Sequence, residues 1–172
     1  MPLPPLPSTL LQLRRHGASF RARLENPAWL LLRMAFGAML MTHGVPKMLG
    51  RAHGSMADPM AGSVRLIGEV LQLPAAPLIG WCVALLEGAG GLLLVAGWLT
   101  RPLAAMVTVQ MLVISWLLAP TFAWIDRGFE YPLMLAFVAF FMLTRGAGPV
   151  SVDAWLARGR QTPAPAWPEV AR

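Results

Sequence analysis

The sequence predicts an all-α integral membrane protein, an antiparallel four-helix bundle with a short surface helix in its first outer loop. Four strongly apolar stretches, 28–49, 77–99, 103–125 and 129–144, fill most of the 172 residues. Charged residues make up 13% and hydrophobic ones 56%, whereas soluble proteins carry about 25% charged residues; the mean hydropathy is +0.58. Hydrocarbon offers no partners to backbone N–H and C=O groups, so such segments are stable there as helices. Short turns near 99–102 and 126–128 set an up-down-up-down order.

Taken in order, residues 1–26 form a basic, proline-containing N-terminal segment. MPLPPLPS is expected to be extended. The arginines and leucines of 9–26 suit a short amphipathic helix on the inner membrane surface. The membrane domain is expected over 27–157. Its first span begins after Asn26-Pro27, with Trp29 at the interface, and is interrupted late by Gly44 and Pro46. In the outer loop, Met60, Val64, Ile67 and Leu71 recur at helical spacing, which predicts a surface helix over 60–73. The second span carries Gly88, Gly90, Gly91 and Gly97, small residues that let helices approach closely in lipid. It ends in the tight turn Leu99-Thr100-Arg101-Pro102. The third span meets Pro120 before the turn at Asp126-Arg127-Gly128, and the fourth is short. Residues 158–172 read as a disordered tail.

The net charge of +6 is arranged for a membrane and not for nucleic acid. Nine arginines flank the spans on one side (14, 15, 21, 23, 101, 145, 158, 160 and 172). Lys47, Arg51, Arg65 and Arg127 lie on the other, and Arg33 sits inside the first span. Positive charge is retained in the cytoplasm, so both termini are expected to be cytoplasmic. Arg14-Arg15 is too far from the apolar run to be a twin-arginine signal, and the first span reads as a retained signal anchor. The single Cys82 excludes an internal disulfide and any CxxC motif.

Ionisable groups in or at the edge of hydrocarbon need a partner, a polar cavity or a nearby interface. Glu87 stands near the bilayer midplane. Its charge, which hydrocarbon cannot solvate, must be neutralised by a proton or by a cation. His43 and Lys47 lie four apart on one helix face, above Glu87. Arg33 lies about one turn from the inner edge, where it either snorkels to the headgroups or pairs with Glu87 from below. Each is thus a candidate partner and a candidate ligand-binding group. Gln110, mid-span on the third helix, suits interhelical hydrogen bonding or ligand binding. Glu130 begins the fourth span at the same outer level as His43 and Lys47. These residues predict a polar pocket opening outward from the midplane, with Glu87 and Glu130 as candidate proton-handling groups. Methionines and histidines also crowd this end, and Met48, His53, Met56 and Met60 are candidate copper ligands because thioether and imidazole suit Cu(I). Methionine serves equally as flexible apolar filler. No haem or iron–sulfur motif and no glycine-rich phosphate loop occurs.

The segments LLRMAFGAMLMTHGVPKMLG, LLEGAGGLLLVAGWLTRPLA and GFEYPLMLAFVAFFMLTRGAGPVSVDAWL resemble the DoxX family of small bacterial membrane proteins. The likeness runs over about residues 29–157. It includes His43, Gly44, Pro46 and Lys47, then Glu87 with Gly90 and Gly91, then the Gly97, Thr100, Arg101 turn. Glu130 and the closing Gly148, Pro149, Ser151, Asp153 complete it. The resemblance implies a four-helix integral membrane protein. Through DoxX-like and DoxD-like relatives it also implies an association with thiosulfate:quinone oxidoreductase and membrane redox or detoxification complexes. The leading expectation is therefore a subunit of a membrane redox system that binds a quinone or small oxidisable molecule. Its partners would be membrane lipid and a soluble or membrane redox subunit. A non-catalytic anchor for a soluble enzyme and a copper-handling protein are the alternatives.

Overall fold

The computed structural model describes residues 8–159, with side chains from Ser19 onward except Trp124. The expected extended N-terminus and polar tail lie, at residues 1–7 and 160–172, outside the described residues. The order is α1 (Ser8–Leu49), α2 (Pro59–Arg65) continued by a π-helical turn (Leu66–Val70), α3 (Ala76–Ala96), α4 (Thr100–Leu118), a 3₁₀ turn (Trp124–Asp126), α5 (Glu130–Arg145) and α6 (Val152–Gly159). Segments Ser19–Leu49, Ala76–Ala96 and Thr100–Leu118 are long and apolar enough to cross a membrane. The fourth long helix, α5, has 16 residues. That corresponds to about 24 Å of rise.

Connectivity defines two ends. The turn end holds the α3–α4 connection and α6. The loop end holds residues 50–75 and 119–129. Helix α1 packs chiefly on α3, and α4 on α5. The core between them is built from Trp29, Phe36 and Leu40 of α1, Leu94 of α3, Leu103, Val107 and Met111 of α4, and Ala136, Ala139 and Met142 of α5. Many leucines, phenylalanines and tryptophans on the opposite faces are exposed, as expected where lipid replaces water as the surrounding medium.

Several expected boundaries move. Helix α1 runs unbroken through Pro27 and Pro46, so the surface helix expected over 9–26 is continuous with the first span. Residues 19–28 are exposed, and the carbonyl that loses its partner to Pro27 can be hydrated there. Gly44, expected as part of a break, is instead a contact point. A Cβ at Gly44 would run into the backbone of Gly88, and one at Gly37 would stand 2.5 Å from the Gly91 carbonyl oxygen. Main chains of α1 and α3 therefore touch at two levels, which only glycine permits. The third span ends at Leu118 and not near 125, because the residue before Pro120 is turned to extended geometry, Ala119 having φ −65° and ψ 143°. The surface helix spans 59–70, opened by the Asp58 carboxylate accepting the Ala61 N–H at 2.9 Å, with Pro59 in the first turn.

The α3–α4 turn needs only Gly97, Trp98 and Leu99. Gly97 has φ +72°, and its N–H and that of Trp98 return to the Leu94 and Leu93 carbonyls at 3.1 and 2.9 Å, the left-handed cap that glycine favours. Leu99 also has positive φ, +53°, which is costly for a residue with a Cβ. Asp153 of α6 offsets this by accepting the Leu99 and Thr100 N–H groups at 3.0 and 3.1 Å.

Candidate functional site

Glu87 lies eleven residues into α3, about 16 Å from its loop-end start. Side chains on a helix lean toward its N-terminus. Because α1 and α3 are antiparallel, Lys47 leans down into the bundle and Glu87 leans up toward the loop end. They meet with Lys47 Nζ 2.6 Å from Glu87 Oε2. From α4, Gln110 Nε2 donates to the other carboxylate oxygen at 2.6 Å. The Glu87 and Lys47 side chains are 4% and 12% exposed, so the pair is nearly dry and links three helices. Charge-assisted hydrogen bonds are strong in such surroundings. Gln110 Oε1 is also buried, and nothing donates to it among the described residues.

His43, one turn before Lys47, is half-buried and within electrostatic reach of Glu87. Its ring packs edge-on against His53 of the loop, with centroids 4.7 Å apart. A short antiparallel bridge between His53 and Met56 holds that loop in place. Lys47, Glu87 and Gln110 are thus hydrogen-bonded together, with His43 one turn from Lys47.

Other expected members fall elsewhere. Arg33 is fourteen residues from Lys47 on the same helix, about 21 Å away along its axis. It is 1% exposed and donates to the Ala147 and Val150 carbonyls, both at 2.9 Å. Arg33 therefore neither snorkels nor joins Glu87; it ties α1 to the segment leading into α6. Glu130 is exposed at the start of α5, its N–H donating to the Phe122 carbonyl at 3.1 Å, whereas Glu87 is buried midway along α3. Two carboxylates expected in one cavity are thus at different depths. Met48 Sδ packs at Gly88 and Met60 Sδ near Gly80, two turns apart along α3, so these two sulfurs do not share an ion. Met56 is exposed. No group of three or more His, Cys, Asp or Glu placed to hold a metal occurs among the described residues.

Asp153 carries a structural role that reading the span residues alone missed. Its only signal was the Gly148, Pro149, Ser151, Asp153 spacing after the last span. In the fold, Ser151 Oγ accepts the Ala154 N–H at 3.1 Å and starts α6. The Asp153 N–H binds the Gly97 carbonyl at 2.9 Å.

Neither the curated proteins nor the solved structures contain a match to this chain. A family model described as DoxX matches residues 28–120. That stretch takes in the spanning part of α1, all of α3 and α4, and every member of the Glu87 cluster; Glu130 and the 146–153 segment follow it. The chain belongs to the DoxX family of integral membrane proteins.

Proposed function

We propose that this protein is the membrane subunit of a redox system, binding a quinone or similar small oxidisable molecule beside the Glu87 cluster. The observation that carries the reading is the buried network itself. A carboxylate is held deep in a membrane bundle by one cation and one amide, and the amide oxygen has no donor among the described residues. A buried acceptor without a partner is costly, about 1–3 kcal/mol. A quinol hydroxyl is a donor of the right kind for Gln110 Oε1. Oxidation of the quinol to quinone releases two protons and two electrons. Glu87 takes the two protons in succession and passes each toward His43 and the loop end. The electrons pass to a redox centre on a partner subunit, since this chain has no motif for an electron carrier. Lys47 holds the Glu87 charge in place between turnovers. Glu130, exposed at the loop end, serves as an exit for protons.

The topology belongs to the same proposal. Arginines at the turn end put both termini in the cytoplasm of a bacterial inner-membrane protein, with residues 27–157 as the membrane domain. Quenching of tryptophan fluorescence by a short-chain quinol, kept reduced, tests ligand binding on the purified protein. The expected result is saturable binding, weakened about tenfold, or 1.4 kcal/mol, in Gln110→Leu and in Glu87→Gln. A wild type that shows no saturable binding removes the proposal.

A second reading has one observation in its favour: both Glu87 oxygens are already bonded inside the protein. On that reading the network is packing glue, and the protein anchors a soluble enzyme at its basic turn end. Co-purification of a stable partner whose activity survives Glu87→Gln supports it, and a partner whose activity is lost with Glu87 rejects it.

A further inference from the structure

We propose that the turn end carries a binding site for the phosphate headgroup of an acidic phospholipid, separate from the Glu87 cluster and centred on Arg101. A groove of about 440 Å³ lies between the start of α4, the end of α5 and the segment entering α6, lined by Arg101, Arg145, Gly146, Gly148, Ser151 and Asp153 among others. Its polar side is cationic. Arg101 is exposed, and its one hydrogen bond among the described residues is to the Thr144 carbonyl, at 3.5 Å. That is the outer limit of such a bond, so most of its five donors are available. Gly146 makes room for the guanidinium, since a Cβ there would stand 3.1 Å from Arg101 Nε.

Arg145 is a fixed second cation. Its guanidinium lies 4.9 Å from the centre of the Trp29 ring, and Nη2 reaches Glu25 at 2.8 Å. The Glu25 side chain is 62% exposed, so that pair is weak and screened. Asp153, the carboxylate in the groove, directs both oxygens at the Leu99 and Thr100 N–H groups and repels an anion less than a free carboxylate would. Two buried donors neighbour its lining residues. Trp29 Nε1 and Thr100 Oγ1 have no partner among the described residues, at 3% and 0% exposure. Trp29 Nε1 abuts Gly148 in the groove floor, 3.0 Å from where a Cβ would stand.

Two observations select a lipid over a free anion. Trp98 and Leu99, separated from Arg101 by Thr100 alone, are exposed apolar side chains that acyl chains would cover and inorganic phosphate would not. Among the described residues, the turn end carries Arg21, Arg23, Arg33, Arg101, Arg145 and Arg158 against Glu25 and Asp153. The loop end is balanced, with Asp58, Glu69, Asp126 and Glu130 against Lys47, Arg51, Arg65 and Arg127. An anionic leaflet attracts cations placed beside the membrane, so the turn end faces it.

Native mass spectrometry of the full chain, released from nanodiscs holding equal phosphatidylglycerol and phosphatidylcholine, tests the site. Wild type is expected to retain phosphatidylglycerol at least fivefold over phosphatidylcholine, and millimolar inorganic phosphate is expected not to displace it. Arg101→Gln should abolish the preference, Arg101→Lys should keep at least half of it, and Arg65→Gln at the loop end should leave it unchanged. Equal retention of the two lipids overturns the proposal, as does displacement by inorganic phosphate. So does an unchanged preference in Arg101→Gln, or a Lys variant no better than the Gln variant, which would report the fold and not the charge.

Discussion

Lys47 and Glu87 are forty residues apart and come within 2.6 Å of each other because their helices run antiparallel and each side chain leans toward its own N-terminus. The geometry makes the pair an internal lock between α1 and α3, placed one turn beyond the contact of Gly44 with Gly88.

Removing one member of this lock should cost far more than removing both. Lys47→Met leaves a buried carboxylate without its cation and is expected to destabilise by about 3–5 kcal/mol, while an apolar replacement of both partners is close to neutral. Unfolding of Lys47→Met, Glu87→Met and the double variant in detergent micelles measures this. A double variant as unstable as the sum of the singles would show that the two side chains do not interact.

Gln110 contributes less to stability. Interhelical hydrogen bonds in membranes average about 0.6 kcal/mol and reach about 1.7, so Gln110→Leu should lower stability by no more than that. The same variant should weaken quinol binding about tenfold. A loss of binding without a matching loss of stability separates a ligand contact from packing glue.

Close approach of α1 to α3 predicts that Gly44→Ala is severe, because the added methyl meets Gly88 backbone and no flexible side chain can yield. Gly62→Ala on α2, where a Cβ meets nothing within 4 Å, should be neutral or stabilising by up to about 1 kcal/mol. The yield of monodisperse protein in gel filtration compares the two. Equal behaviour would mean that the helices can separate without penalty.

At the turn end, Asp153→Ala removes both acceptors that cap α4 and should cost about 1–2 kcal/mol, with Asp153→Asn intermediate. Arg33→Met strips the Ala147 and Val150 carbonyls of their donor and should cost about 1.5–3 kcal/mol. Limited proteolysis between 146 and 159 should accelerate in both variants. Unchanged cleavage would mean that α6 is held by other contacts.

How far these arrangements are legible depends on what lipid does to a sequence. The apolar stretches, a tight turn between the second and third spans (expected at 99–102, found at Gly97–Leu99), the short fourth helix and the place of Glu87 midway along its helix follow from length and composition. Hydrocarbon forces such segments to be helical, and about 1.5 Å per residue converts sequence position into depth. Gln110 as an interhelical donor was also readable, because an amide at that depth needs a partner. Helix continuity through Pro27 and Pro46 was not, since tertiary packing and hydration compensate a local break that propensity alone predicts.

The choice of partner was decided by tertiary structure. Sequence placed Arg33, His43 and Lys47 on α1 as equal candidates for Glu87; the fold assigns Lys47 to it and sends Arg33 to the carbonyls of Ala147 and Val150 at the other end. In a membrane bundle the lipid-facing surface is as apolar as the core, so hydropathy carries little record of how each helix is rotated or which helix is its neighbour. That record lies in the glycine contacts of α1 with α3 and in the Asp153 bonds to Leu99 and Thr100, which exist only once the chain is folded.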